Sequence, residues 1–318
     1  MLVLVTGGAG RLGITVCRML QKKGFRVRVF DLPSPRNRKS VKELSRKTEV
    51  SWGDITSAGS VRQALDGVDA VIHMAGILPP VTETNPGLAE KVNVRGTQTL
   101  VDAIRATGKR IPFVFTSSVA VFGPTPAATE PVSVERNAPN PKDAYGETKL
   151  KAENLIRESG IDCVILRLSA SMYTVFQASD LKRLYDIPLN NRLEICHPEE
   201  VSVAIVNAVV NFEAARGNTL IISGGPKGRM LYKDMIRGIL GVLRLPLPPA
   251  RKFTQQPFYL DYYDTSKSQL LLQYQHKTFG DYLGDYRGTL AQRFTPAFLP
   301  FMCYFVGPIF GKIVMRLL

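Results

Sequence analysis

The chain is poor in cysteine and histidine, with 4 cysteines and 3 histidines among 318 residues. The cysteines are widely separated and form neither a CxxC pair nor a cluster with histidine; they are Cys17, Cys163, Cys196 and Cys303. This spacing argues against a disulfide framework and against a structural zinc site. We therefore expect free thiols in a reducing, cytoplasmic compartment and no bound metal.

Acidic residues are outnumbered by basic ones, because 27 Asp and Glu stand against 41 Lys and Arg, a net charge of +14. A surface of this sign attracts anions, such as the phosphates of a cofactor, acidic lipid headgroups or nucleic acid. Since no nucleic-acid recognition motif accompanies the charge, we expect no nucleic-acid partner. Apolar residues make up 45% of the chain, an ordinary globular composition that suits one large domain or a domain with a smaller lobe.

The strongly apolar segment after Arg293 is too short and too interrupted for a typical membrane span. Residues 297–311 are uncharged but contain two prolines, whereas a spanning helix needs about 20 apolar residues. Two interpretations stay open. The segment packs on the protein or in a homodimer interface, or it makes a peripheral membrane contact flanked by Lys312 and Arg316. A membrane contact would favour a lipid-like or steroid-like substrate.

Short apolar runs alternate with amphipathic segments through the first half of the chain. The start, MLVLVTG, lacks the basic region of a signal peptide and leads into glycines, so we expect a first buried strand there. Further strands are predicted at residues 26–31, 68–76, 111–118 and 162–168, and helices at 12–23, 60–66, 86–107 and 144–159. Strand, helix and strand repeated in this order predict an α/β fold, a doubly wound parallel sheet of the Rossmann type.

A glycine-rich loop, TGGAGRLG, joins the first predicted strand to the first predicted helix. In a phosphate-binding loop of this kind, Gly7 makes the tight turn, Gly10 lets the backbone approach a pyrophosphate, and Gly13 lets the helix pack on the strand. The helix N-terminus, with the backbone of Arg11 and Leu12, would supply unpaired N–H groups to the anion. The loop therefore predicts a dinucleotide site.

An acidic residue, Asp31, ends the second predicted strand, 18 residues after Gly13. A carboxylate there can accept hydrogen bonds from both hydroxyls of the adenosine ribose and would repel a 2′-phosphate, which favours NAD over NADP. The basic run that follows could hold a 2′-phosphate, or it could be a solvated surface; it comprises Arg36, Arg38, Lys39, Lys42, Arg46 and Lys47. In the later GDI motif, Asp54 could reach the adenine with Ile55 beside it, and a simple turn is the alternative.

These features resemble the extended short-chain dehydrogenase/reductase family, which includes NAD-dependent epimerases and dehydratases and enzymes similar to 3β-hydroxysteroid dehydrogenases. The matching motifs are TGGAGRLG, Asp31, GDI, HMAG at 73–76, VNVRGT at 92–97, FTSSVAVFG at 115–123 and YGETK at 145–149. They occur in the family's order and spacing across the first half of the chain.

The resemblance implies a role for each matching residue. Ala75 and Gly76 would line the cofactor cleft near the ribose and pyrophosphate. Asn93 would hold the active-site backbone together. Ser118 aligns with the catalytic serine or threonine, and the two residues before it are the alternatives.

Tyr145 and Lys149 match the YxxxK pair of the family, which implies that Lys149 also hydrogen-bonds the nicotinamide ribose. Residues i and i+4 share a helix face, so both side chains can point into one cleft. A free tyrosine titrates near pH 10, and a neighbouring ammonium group together with the positive nicotinamide ring would lower that pKa. Tyr145 would then take a proton from the substrate hydroxyl, or donate one in reverse, while Ser118 holds the substrate oxygen.

Two departures from the family narrow the function. Sugar-nucleotide 4,6-dehydratases carry an acid pair after the catalytic residue, and here Val119 and Ala120 replace it, so β-elimination lacks its acid and base. The segment RLSASMYT keeps Arg167 but lacks the Asn and Gly-Pro of many sugar-nucleotide enzymes. The first difference argues against the 4,6-dehydratase subclass, and the second weakens a nucleotide-sugar interpretation.

We therefore expect an NAD-dependent oxidoreductase that transfers hydride between NAD and a secondary alcohol or ketone of a small molecule. A steroid-like or lipid-like compound is one candidate substrate. Two alternatives stay open: a nucleotide-sugar 4-epimerase with tightly bound NAD, and a non-catalytic NAD-sensing or scaffold protein. Residues 1–168 would form the NAD-binding Rossmann domain. Residues 169–318, which include a predicted helix over 198–215, would form the substrate-binding lobe and contribute partly to the main sheet.

Overall fold

A computed structural model describes residues 1–125, 130–171 and 183–293 of the chain. Its strands are β1 Leu2–Thr6, β2 Arg26–Asp31, β3 Glu49–Trp52, β4 Ala70–His73, β5 Phe113–Ser118, β6 Cys163–Leu168, β7 Arg192–Glu194, β8 Thr219–Ile222 and β9 Arg229–Leu231.

The helices follow the strands in alternation through the first half. They are α1 Arg11–Lys22, α2 Pro35–Val41, α3 Ala58–Leu65, α4 Val81–Thr84, α5 Pro86–Ala89, α6 Gly96–Ala106, α7 Ala144–Glu158, α8 Pro198–Val210, α9 Phe212–Ala215, α10 Tyr232–Val242, α11 Ser266–Leu272 and α12 Phe279–Arg293. A π-helical segment, Glu90–Arg95, joins α5 to α6. Short 3₁₀ turns lie at Val119–Phe122, Arg183–Tyr185, Pro226–Gly228 and Ala250–Lys252.

In the described part of the chain, seven parallel strands form one sheet in the order β3-β2-β1-β4-β5-β6-β8. The order reverses at β1, so the carboxyl ends of β1 and β4 open a crevice of the kind where α/β proteins bind ligands. This arrangement confirms the predicted doubly wound Rossmann sheet. The remaining strands, β7 and β9, pair antiparallel in a small second sheet.

The sheet is buried on both faces because its strands alternate between two apolar layers. In β1, Val3 and Val5 belong to the core under α1 and α8, while Leu2 and Leu4 belong to the core under α3, α6 and α7. Successive strand side chains point to opposite faces, so a strand covered on both sides reads as an unbroken apolar run. Burial on both faces explains why the MLVLV stretch is continuously apolar rather than alternating.

The helix predicted over 198–215 is divided in the structure. It ends at Val210, and α9 begins at Phe212. At Asn211 the backbone leaves the helical region, and the side-chain amide donates a hydrogen bond to the Leu271 carbonyl oxygen (2.9 Å). A side-chain contact with α11 thus interrupts what the apolar pattern presents as continuous.

The second half of the chain contributes both to the main sheet and to a separate layer. Strand β8 extends the main sheet beside β6, and α8 packs on its face with α1. By contrast β7, α10 and α12 surround their own apolar cluster, which includes Leu193, Ile236 and Tyr282. The division at residue 168 stays a prediction.

The interpretations offered for the apolar segment after Arg293 concern residues outside the described ranges. Within residues 1–125, 130–171 and 183–293, no helix is long and apolar enough to cross a membrane.

Candidate active site

The glycine-rich loop turns tightly at the carboxyl end of β1. Gly7 adopts φ +71°, and a Cβ atom there would lie 2.8 Å from the backbone nitrogen of Ala75, so a side chain is excluded by both conformation and space. A Cβ on Gly13 would lie 2.6 Å from the Cα of Gly8. Gly10 stands at the N-cap of α1 without a side-chain cap, and the first turn of α1 carries no acid.

This geometry fits a pyrophosphate. The first N–H groups of a helix have no intrahelical acceptor, and together with the helix dipole they favour an anion. Arg11, Leu12 and Gly13 form the first turn of α1, and the Ile14 N–H is the first to bond back, to the Gly10 carbonyl oxygen (3.0 Å). The loop backbone can therefore approach phosphate oxygens without meeting a side chain.

Asp31 lies where the sequence placed it, at the end of β2 beside the glycine-rich loop. Its Oδ2 accepts a hydrogen bond from the Ala9 N–H (3.0 Å), and its Oδ1 accepts from the Leu32 N–H (2.8 Å) and the Asn37 Nδ2 (3.0 Å). Burial raises the pKa of this carboxyl, and the two backbone N–H groups partly counter that effect. A carboxylate offers roughly four acceptor positions, so a further donor such as a ribose hydroxyl can still bind.

The side chains of Asp54 and Ile55 in the GDI motif both have structural contacts within the protein. The exposed Asp54 Oδ1 accepts from the Thr56 N–H and the Thr56 hydroxyl (both 2.9 Å), so it stabilises the turn before α3. Ile55 is buried against α6, where a Cβ on Gly96 would lie 2.7 Å from its Cγ2 atom. The adenine contact stays a prediction, and the turn alternative has a direct structural basis.

Asn93 ties the loop after β4 to α7. It lies buried in the π-helical segment, where its Oδ1 accepts from the Ile77 N–H (2.7 Å). Its Nδ2 donates to the Ile77 carbonyl (3.1 Å) and to the Thr148 hydroxyl (3.1 Å). A Cβ on Gly76 would lie 3.1 Å from this Oδ1 atom and 3.7 Å from Lys149 Nζ, so Gly76 brings bare backbone next to the lysine.

A buried histidine that the sequence did not single out supports the same loop. Thr97 donates its hydroxyl proton to the Asn93 carbonyl (2.6 Å), so it accepts from His73 Nε2 (2.9 Å). On the other ring nitrogen, Nδ1 then accepts from the Thr6 hydroxyl (2.7 Å), which in turn accepts the Ala75 N–H (3.2 Å). Burial, aided by the charge of Lys149, lowers the pKa of His73 to about 3, so the ring is neutral.

Ser118 and Tyr145 come together at the carboxyl end of β5. The Ser118 hydroxyl accepts the Ala120 N–H (3.1 Å) and hydrogen-bonds the Tyr145 phenol. Of the two alternatives, the Ser117 hydroxyl bonds Glu153 (2.5 Å) and the Thr116 hydroxyl bonds the His73 carbonyl (3.2 Å). In the structure, Ser118 is thus the hydroxyl next to the phenol.

Lys149 is buried one turn after Tyr145. Its Nζ donates to the Thr116 carbonyl (2.8 Å), and it lies 4.8 Å from the centre of the Phe115 ring and 5.9 Å from that of Tyr145. Burial lowers the pKa of Lys149 to about 8, although the nearby Glu153 carboxylate favours the charged form.

The lowering of the Tyr145 pKa by Lys149 together with the positive nicotinamide ring stays a prediction, and the protein's own groups act in the opposite direction. Burial raises the pKa of the Tyr145 phenol, the neighbouring Tyr259 adds to the rise, and only the hydrogen bond from Ser118 opposes it. Like a free tyrosine, the phenol is protonated at neutral pH, and this is the form that can donate a proton.

Two acidic side chains fix the start of α7. The Asp143 Oδ1 accepts the Gly146 N–H (2.7 Å) as N-cap, and Glu83 accepts the Ala144 N–H (3.2 Å) and the Tyr145 N–H (3.3 Å). Such caps satisfy the orphan N–H groups of a helix start. Glu83 comes from α4, in the loop that Asn93 clamps, so the loop and the tyrosine are held relative to one another.

A family model for the NAD dependent epimerase/dehydratase family matches residues 3–176. D-erythronate dehydrogenase of Cupriavidus necator is 31% identical over 182 residues, which cover 52% of this chain and 54% of that protein. The 3 beta-hydroxysteroid dehydrogenase type 7 of Rattus norvegicus is 40% identical over 124 residues, 38% of this chain and 36% of that protein. The chain thus spans about half the length, or less, of these curated relatives.

Among solved structures, the UDP-glucuronic acid 4-epimerase of Bacillus cereus, in complex with UDP-glucuronic acid and NAD, has the same fold. It matches with a TM-score of 0.74 at 22% identity, over 91% of this chain and 100% of that one. The likeness extends beyond the residues that the family model matches and into the second half of the chain.

Proposed function

Because this chain belongs to the NAD-dependent epimerase/dehydratase family, we propose that it is an oxidoreductase that interconverts a secondary alcohol and a ketone. Membership confirms the family that the sequence motifs resemble, together with its cofactor, NAD. The observation that carries the proposal is the contact between Ser118 and a protonated Tyr145, with the buried Lys149 one helical turn away.

Each of these side chains has a distinct task. Ser118 and the Tyr145 phenol present two hydroxyl groups to one substrate oxygen, which orients it and stabilises developing negative charge. Tyr145 donates its proton to that oxygen when a ketone is reduced and receives it back when an alcohol is oxidised. Lys149 holds a positive charge beside the bare backbone of Gly76. Bound NAD supplies the hydride chemistry.

Two ion pairs in the second half of the chain argue against phosphate binding by the arginines that they contain. The guanidinium of Arg192 is paired with Asp261 (2.6 Å) and that of Arg229 with Glu194 (3.0 Å). The Arg192–Asp261 pair adjoins the loop after the Ser118 turn, since the Thr125 hydroxyl in that loop donates to Asp261 Oδ2 (2.6 Å). Cations already neutralised by carboxylates are poor phosphate ligands.

The relatives support net oxidation or reduction rather than epimerisation. Both curated relatives described above carry dehydrogenase names, one for a hydroxy acid and one for a steroid. The nucleotide-sugar 4-epimerase stays the second candidate, because the solved structure that shares the fold carries that activity in its name. Peripheral membrane contact and homodimer formation remain predictions.

A screen of the purified protein separates these candidates. We expect NADH to accumulate when NAD is supplied with one class among sterols, hydroxyacyl compounds and simple hydroxy acids. Conversion of a UDP-sugar to its epimer without net NADH would instead establish the epimerase. Tight NAD binding without turnover of either class would favour the sensor or scaffold.

A further inference from the structure

One face of α7 carries three polar side chains at successive turns. Tyr145, Lys149 and Glu153 stand at positions i, i+4 and i+8, a spacing that places them above one another on a helix. Lys149 is 5% exposed and Glu153 is fully buried. Neither the glycine-loop motif nor the YxxxK pair assigns a task to Glu153, yet a buried carboxylate is retained only with strong partners.

The Glu153 carboxylate joins α7 to the ends of two strands. Its Oε1 accepts from the Ser117 hydroxyl on β5 (2.5 Å) and from Arg167 Nε on β6 (3.0 Å). Its Oε2 accepts from Arg167 Nη2 (2.7 Å) and from Arg157 Nη2 (2.7 Å). Ser117 directly precedes Ser118, so one carboxylate controls how the helix bearing Tyr145 sits against the strand bearing Ser118.

Glu153 also carries the negative charge in a region of buried cations. Arg167 is 3% exposed and lies over the Phe122 ring, and Arg157 reaches Glu153 from the half-exposed end of the helix. In the part of the chain that the structure describes, Lys149 also lies near the His73 ring on β4, the Phe115 ring and Thr116 carbonyl on β5, and the Tyr145 phenol, and none of these four groups is charged at neutral pH. The Glu153 charge favours a charged Lys149.

We propose that Glu153 is a positioning residue for the Tyr145–Lys149 pair: its carboxylate holds α7 against β5 and places a negative charge one helical turn after Lys149. The inference rests on the proposed function for its consequence in turnover. Its electrostatic part is tested without substrate.

Two substitutions of Glu153 distinguish the effect of its charge from the effect of its length. Glu153→Gln keeps the shape and removes the charge, whereas Glu153→Asp keeps the charge and shortens the reach. We expect an NMR titration of ¹³C-labelled lysine, with the Lys149 signal identified by its loss in Lys149→Met, to show the Lys149 pKa lowered by about one unit in Glu153→Gln. In Glu153→Asp it should stay near the wild-type value. An unchanged Lys149 pKa in Glu153→Gln would overturn the inference.

Arg157 offers a test that leaves the buried carboxylate in place, in case Glu153→Gln does not fold. Removing this half-exposed cation in Arg157→Gln leaves Glu153 less neutralised, so the Lys149 pKa should rise, while the matched Arg157→Lys should leave it unchanged. No shift in Arg157→Gln would contradict the electrostatic role. Neither titration requires turnover, so both can succeed even if the proposed reaction is wrong.

Turnover then tests the positioning. With an active substrate, the alkaline limb of the pH profile of kcat/KM should move to lower pH in Glu153→Gln and stay in place in Glu153→Asp, while kcat falls about tenfold or more in both. A purely structural residue would lower kcat without moving the limb. That outcome would refute the inference even where the proposed reaction itself proceeds.

Discussion

Removal of the Tyr145 hydroxyl tests whether this residue is a proton donor or only a packed aromatic side chain. Tyr145→Phe deletes one oxygen and keeps the ring that lies 5.9 Å from Lys149 Nζ. The lost contact is the hydrogen bond with Ser118. Neither the glycine-rich loop nor Asp31 is touched by the change, so the cofactor contacts should survive.

The substitution should change the activation barrier several times more than the free energy of unfolding. One hydrogen bond contributes about 1 kcal/mol to the free energy of unfolding, and loss of the desolvated hydroxyl offsets part of that. A positioned general acid or base contributes about 10²–10⁴ in rate, which corresponds to about 3–5 kcal/mol in the activation barrier. We therefore expect near-native thermal stability, NAD affinity within a few-fold of wild type and almost complete loss of turnover.

The assay is NADH formation with the substrate found in the screen, accompanied by calorimetric titration of NAD and thermal unfolding. Tyr232→Phe is the matched control, because Tyr232 is also buried and its hydroxyl donates to the Leu184 carbonyl (2.9 Å) in the second half of the chain. The control should lose similar stability and retain turnover. Turnover by Tyr145→Phe within a few-fold of wild type would refute the acid–base role.

Three further outcomes follow from other features. Gly13→Ala should weaken NAD binding at least about tenfold, since its Cβ would lie 2.6 Å from Gly8 Cα, while Gly59→Ala, with open space around it, should leave calorimetric affinity unchanged. NAD should bind more tightly than NADP, and Asp31→Ser should narrow the difference; tighter NADP binding by the wild type would contradict the ribose role. Flotation with anionic liposomes should recover more full-length chain than a form truncated before residue 294, and equal recovery would exclude the peripheral contact.

The strands and the glycine-rich loop of the Rossmann domain could be predicted because their residue patterns lie within short stretches of the sequence. The strand at residues 2–6 is buried at every position, and its first four residues are apolar, since both faces of the sheet are covered. At residue 7 the positive φ and the lack of space for a Cβ atom require glycine. The break at Asn211 could not be predicted, because it depends on a contact with Leu271, which is 60 residues away.

The candidate site divides in the same way. Spacing alone placed Tyr145 and Lys149 on one face of a helix and put Asp31 at the end of a strand. Glu153 continues that face by one more turn, and an acid at i+8 behind a YxxxK pair is a signal that could have been noticed. The roles of His73 and Glu83 had no such signal, since each is defined by partners on other elements.

The amino-acid sequence by itself determined the family, the α/β order and the residue types that do the chemistry, because those depend on periodicity and spacing along the chain. The pKa shifts in the site were decided only by the tertiary structure. Burial raises the pKa of Tyr145 and lowers that of Lys149. The Glu153 carboxylate is paired with Arg167 and Arg157 and accepts a hydrogen bond from Ser117. These pKa shifts could not be predicted from sequence motifs, because desolvation and neighbouring charges depend on which residues pack around a group.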